Sequence, residues 1–205
     1  GYAFRSCRAL TEVSFPECTY IGDGAFYNCS ALSSIYFPKC SYVGRDVFYS
    51  CSALTEINFP MCSYISDNAF RSCNTLSSVN LPICTTISNY AFGSCNALTS
   101  VVIPKCSFIG NSAFCFCVAL TEVNFSMCSY VANYTFQGCS ALTEINFPIC
   151  SFVGNYAFNA CSALISAIFP KCSYIGGSAF YSCSALTEAS FPECSNIGSY
   201  AFQWL

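Results

Sequence analysis

Nineteen cysteines and ten carboxylates, with no histidine, are the groups of this 205-residue chain most able to do chemistry. Thiols can pair as disulfides, hold a soft metal or act as nucleophiles. Paired carboxylates can move protons or hold a cation. The spacing narrows these options. Eighteen cysteines fall in two series with a step of 22 residues, one from Cys7 to Cys183 and one from Cys18 to Cys194. Glutamates recur on the same step at Glu12, Glu56, Glu122, Glu144 and Glu188, with Ser34, Ser78, Ser100 and Ser166 between them. A group repeated at every period is a column of a regular structure rather than a member of one catalytic constellation. There is also no G-x-S-x-G and no phosphate-binding glycine loop, so neither enzyme activity nor a cofactor is expected.

The elements that position these columns follow from the repeat itself. After a partial copy at 1–6 come nine full ones, at 7–28, 29–50, 51–72, 73–94, 95–116, 117–138, 139–160, 161–182 and 183–204. They are numbered here as coils 1 to 9, with positions 1 to 22 in each. Self-similarity at this period marks a stacked solenoid read as a single domain. Neither end carries a polar cap, so the chain is expected to be a section of a longer one.

Leucine holds position 4 and phenylalanine position 20 in every copy. Positions 4 to 9 read L-x-x-I-x-F, a short strand, and proline ends it at position 10 in eight copies. All copies run the same way, which predicts one parallel sheet. In coil 3, Leu54, Ile57, Phe59, Ile65 and Phe70 should point inward and Glu56 and Asn58 outward. The remainder of each coil is too short for a mean helix and predicts turns or a 3₁₀ segment. The small residue at position 16 is expected to make a tight bend.

Within one column, in-register thiols would keep their Cβ atoms about 4.8 Å apart, beyond the roughly 3.5–4.5 Å of a disulfide. The two columns are separated by a strand of about 20 Å. The reading favoured is free thiols that act as small buried apolar groups and bond loop backbone. Scattered disulfides remain an alternative. A metal site is weaker still, with no histidine and no C-x-x-C. Cys115, outside both columns at variable position 21, is expected to be the reachable thiol.

The motif L-x-x-I-x-F-x-x-C-x-[YF] resembles the leucine-rich-repeat hallmark L-x-x-L-x-L-x-x-[NC]-x-L. Downstream, I-G-x-x-A-F-x-x-C is similar to the BspA-like class of bacterial and protist surface proteins. The resemblance covers essentially the whole chain, although the copies lack one residue usual for the class between the proline and the isoleucine. It implies a β-rich leucine-rich-repeat solenoid, extracellular or on the cell surface, that makes host-protein or cell–cell contacts.

Charged residues are 8% of the chain and the net charge is −3, with no basic cluster. Nucleic acid and anionic membrane surfaces are therefore poor partners. No run approaches the roughly 18 apolar residues of a membrane span, so membrane insertion is not expected.

Binding falls to the variable outward columns. Positions 6 and 8 offer a candidate face for a protein or glycan: Glu12, Tyr36, Glu56, Asn58, Asn80, Val102, Glu122, Asn124, Glu144, Asn146, Ile168 and Glu188. Position 11 reads Lys39, Met61, Ile83, Lys105, Met127, Ile149, Lys171, a three-coil super-period shared with positions 6 and 8. Duplication of a three-coil block explains it, and so does lateral contact with further copies of the chain. Tyr90, Tyr134, Tyr156 and Tyr200, at position 18, are candidate exposed tyrosines that cover the Phe spine or serve an interface. The leading expectation is a non-enzymatic binding or adhesion module. The alternative is a structural fibre subunit that stacks end to end and side by side.

Overall fold

The computed structural model describes residues 1–204, which form a parallel β-solenoid without helices. Each coil contributes two short strands. The first covers positions 6 to 8, from Glu12–Ser14 in coil 1 to Glu188–Ser190 in coil 9. The second covers positions 14 and 15, from Tyr20–Ile21 to Asn196–Ile197. Pairing is parallel and steps by one repeat, Val13 beside Ile35 and Ile21 beside Val43.

The single unbroken sheet expected at the first strand is not what forms. That face is divided into patches joining coils 1–2, 3–4, 5–6 and 7–9, and the second strand instead makes a sheet through all nine coils. Two residues per coil are too few to show period-two alternation, so the continuous sheet left no strand signal in the sequence. The turn side is stitched as well. The N–H groups of Asp46, Phe48 and Ser50 donate to carbonyls of Asp67, Ala69 and Arg71 in the next coil at 3.0, 2.7 and 2.9 Å.

The core is a set of spines. Leu54, Ile57, Phe59, Ile65 and Phe70 are buried, while Glu56 and Asn58 are exposed, as the alternation requires. Position-20 rings stack face to face down the molecule, Phe70 on Phe92 at 5.2 Å and Phe92 on Phe114 at 5.4 Å. Each such ring stabilises the fold by about 2–3 kcal/mol through burial alone.

The tight bend is not at position 16. Left-handed backbone occurs at positions 18 and 22, for example Tyr90 (φ 56°) and Ser94 (φ 60°). Glycine at position 16 serves close approach instead: a Cβ on Gly110 would lie 2.7 Å from the Asn89 nitrogen of the preceding coil.

Candidate functional site

All nineteen cysteines are free, and the two columns use their thiols differently. Position 1 sits beside the end of the preceding copy, and its sulfur reaches back 25 residues to the next layer of the stack: Cys51, Cys73 and Cys95 donate to the carbonyls of Phe26, Phe48 and Phe70 at 3.2, 3.1 and 3.2 Å. At position 12 it closes its own turn, Cys62 and Cys84 donating to Tyr64 and Thr86 two residues on at 3.2 and 3.3 Å. Burial pushes the Cys84 thiol up to about 11 and drives Cys73 and Cys95 well above their ordinary range. Such thiols stay protonated and unreactive.

Cys115 does not behave as expected. It is 5% exposed, with its sulfur packed over Gly93, whose missing side chain leaves room for it. Burial raises its pKa, opposed by the Arg71 guanidinium and by hydrogen bonding, including from Ser112. The accessible thiols are Cys7, which is exposed, and Cys18 and Cys194, which are half-buried.

The strand face presents its position-6 and position-8 side chains to solvent, with Ile168 alone among the candidates there half-buried. Column 5, beside them, is less available, because Ser33 and Thr121 donate their hydroxyls to the Thr11 and Thr99 carbonyls of the preceding coil. Where the face is divided, the core opens: Ile35, Val79 and Val123, each on the last coil before a division, are half-buried, whereas Ile57, Val101 and Ile145 are buried. The division between coils 6 and 7 forms a cleft of about 380 Å³ lined by Glu122, Val123, Glu144 and Asn146, with Ser166 and Ile168 at its rim. A continuation reaches Asn124 and Ser126.

Glu122 and Glu144 are the one pair of glutamates in adjacent coils of this column. Like charges in that relation weaken strand pairing, although the divisions between coils 2 and 3 and between coils 4 and 5 occur without such a pair. Glu122 accepts a hydrogen bond from Ser100 at 3.3 Å, and neither glutamate has a cationic partner within 4.0 Å among the described residues. Glu12 and Tyr36 border a smaller cleft, and Glu188 accepts from Ser166 at 2.9 Å. Asn80 donates to Asn58 at 2.9 Å, while Glu56 and Val102 stand along the exposed row.

Column 11 forms an exposed row apart from half-buried Ile83, with Met61 and Met127 each 55% exposed. Its outer lysines are neutralised, Lys39 by Glu17 at 2.6 Å and Lys171 by Glu193, which leaves Lys105 without a carboxylate partner among the described residues. Tyr90, Tyr134, Tyr156 and Tyr200 are exposed, all with left-handed backbone.

Two ladders escaped the sequence reading. At position 17, Asn89, Asn111, Asn133 and Asn155 each offer Oδ1 to the backbone N–H one coil on, at 2.9, 3.1, 2.8 and 2.7 Å. At position 14, Tyr20, Tyr42 and Tyr64 stack along the continuous sheet, as do Tyr130, Phe152 and Tyr174. The recurrence of Asn and of aromatic residues at one position was the available signal in both cases.

With this geometry in view, comparison with known proteins is consistent. The family model described as BspA type Leucine rich repeat region (6 copies) matches residues 1–95 and 85–205. Among curated proteins, none matches. The structure is similar to that of a T. pallidum leucine rich repeat protein, with TM-score 0.71 and 29% identity over 75% of this chain and 77% of the other. It is also similar in fold to a leucine rich cell surface protein from Faecalibacterium prausnitzii (TM-score 0.54, 21% identity, 93% and 75% covered). A leucine-rich repeat protein from Eubacterium ventriosum is a further fold neighbour (TM-score 0.63, 19% identity, 99% and 78% covered). No helix among the described residues is long and apolar enough to cross a membrane.

Proposed function

The chain belongs to the BspA type leucine-rich-repeat family, and from that premise we propose that it is a non-enzymatic, surface or secreted module that binds a protein partner in adhesion. The cleft between coils 6 and 7 carries this reading. It pairs two exposed carboxylates without cationic partners, Glu122 and Glu144, with the amides of Asn124 and Asn146, over a core that opens at half-buried Val123. A partner that presents lysine or arginine beside an apolar side chain matches that combination. The fold neighbour from F. prausnitzii is named a cell surface protein, which supports the location.

Beads coated with the chain should adhere to cell-surface or matrix proteins, and the double substitution E122Q/E144Q should weaken that adhesion. Adhesion no greater than that of bare beads would refute the proposal. The second reading, a fibre subunit with lateral contacts, draws on the exposure of Met61, Met127 and Ile149 along column 11. Sedimentation of the chain at rising concentration tests it, and a monomer throughout would exclude lateral assembly.

A further inference from the structure

We infer that the turn side of coils 7 to 9 holds a glycan-binding slot for a pyranose of gluco configuration, formed where Ser178 interrupts the tyrosines of position 18. Tyr156 has one face covered by Tyr134, the rings 5.0 Å apart and 3° from parallel. Its other face looks along the column toward the next coil, where Ser178 leaves it uncovered, and Tyr200 resumes the column one coil further on. The resulting cleft, about 490 Å³, is lined by Tyr156, Ser178, Tyr200, Asn159, Tyr181 and Gln203. Coils bound it on both sides, so it is a slot within the stack. It lies away from the strand face and stands whether or not that face binds a protein.

Position 18 has left-handed backbone in every coil, so the fold itself fixes how these rings are presented. Tyr156 and Tyr200 sit at φ 56° and 61°, a left-handed conformation that a tyrosine side chain disfavours. Gly24, Asn68 and Asp46 hold the same position in other coils and bear it more easily.

The dimensions and chemistry select the ligand. Two coil steps separate Tyr156 from Tyr200, roughly 10 Å at ordinary strand spacing. A flat aromatic ligand between two rings needs only about 7 Å, whereas a pyranose with hydrogens on both faces needs about 8–9 Å. Tyr200, 67% exposed, has freedom to close the difference. A sugar with all substituents equatorial shows C–H groups on both faces, which suits two aromatic walls. Hydroxyl partners are present at the rim. Asn159 is held in place, accepting from Gln137 at 3.1 Å and donating to the Tyr181 carbonyl at 3.2 Å, the Tyr181 hydroxyl and the Gln203 amide add to it, and Ser178, buried, forms the floor.

A second Tyr-Ser-Tyr step, Tyr90–Ser112–Tyr134, supplies an internal control. There Gly93 and Cys115 replace the corresponding Asn159 and Tyr181, and the Arg71 guanidinium already lies 4.6 Å from the centre of the Tyr90 ring.

Calorimetric titration of the full chain with cellotetraose tests the slot. Saturable binding is expected, and β-1,4-galactotetraose, whose axial oxygen spoils one face, should bind about ten-fold more weakly. Ser178→Tyr fills the slot with a residue that position 18 accepts elsewhere, and it should abolish binding, while Tyr200→Ala should weaken it by about ten-fold. Ser112→Tyr should leave it unchanged. Absence of saturable cellotetraose binding, equal affinity for the two sugars, or undiminished binding by both Ser178→Tyr and Tyr200→Ala would overturn the assignment.

Discussion

The two cysteine columns place the same side chain at two corners of one coil, and they hold different parts of the molecule together. At position 1 the thiol bonds the carbonyl of a phenylalanine 25 residues back, as Cys95 does to Phe70, so it ties one layer of the stack to the next. At position 12 it bonds two residues ahead, as Cys84 does to Thr86, so it fixes the shape of one turn. The lesson is that residue type alone does not define a structural role. A weak donor becomes a longitudinal tie only where a neighbouring coil presents a carbonyl within reach.

The largest test removes the spine against which the position-1 corner is built. Phe92→Ala should destabilise the chain by about 3–5 kcal/mol, since it empties a fully buried site between two stacked rings. Its carbonyl accepts the Cys117 thiol at 3.2 Å, and that bond should loosen with it. Urea denaturation gives the value, and a loss near that of a surface substitution would contradict the packing described.

Alkaline pH tests the burial of the thiols next. Below the ordinary thiol value of 9.0, folded and unfolded chains both keep the proton and stability does not depend on it. Above 9.0 the unfolded chain ionises first, so stability falls as pH rises until the folded thiol titrates, for Cys84 at about 11. That loss amounts to about 2–3 kcal/mol for this one group. For Cys73 and Cys95, raised well above their ordinary range by burial, the sign is the same. Urea midpoints of wild type and Cys84→Ala between pH 8 and 11 check this, and parallel curves would sink it.

A smaller effect belongs to the third corner, where asparagines tie coils as the position-1 thiols do. Asn111→Ala removes the acceptor of the Asn133 N–H at 3.1 Å and should cost about 0.5–1 kcal/mol, being exposed. No change in the urea midpoint would mean that this ladder contributes nothing.

The solenoid, its spines and the inward and outward residues of the first strand were legible because the repeat sets them in columns. Phe70 and Glu56 could be placed on opposite sides by alternation alone. The continuous sheet was not legible, since Tyr64–Ile65 is too short to show a period. The bend was read at Gly110 because glycine permits left-handed backbone, yet the fold uses that residue for contact between coils and gives the left-handed backbone to Tyr90 and Ser94. Cys115 read as exposed from its variable column, but burial there depends on which residue the adjacent coil supplies, here Gly93. The openings at Ile35 and Val79 left no mark in the sequence, whereas the coil of Val123 stands out by Ser126 in place of proline and by Glu122 one repeat before Glu144.

The most direct measurement compares Cys95→Ala with Cys84→Ala by urea denaturation at pH 7. Both residues are fully buried and lose the same atoms, so the cavity term is shared and the difference reports the bonds. Each change removes one thiol hydrogen bond, and Cys95→Ala should cost more because its bond joins two layers of the stack whereas that of Cys84 lies within one turn. Equal losses, or a larger one for Cys84→Ala, would contradict the assignment of longitudinal cohesion to the position-1 column.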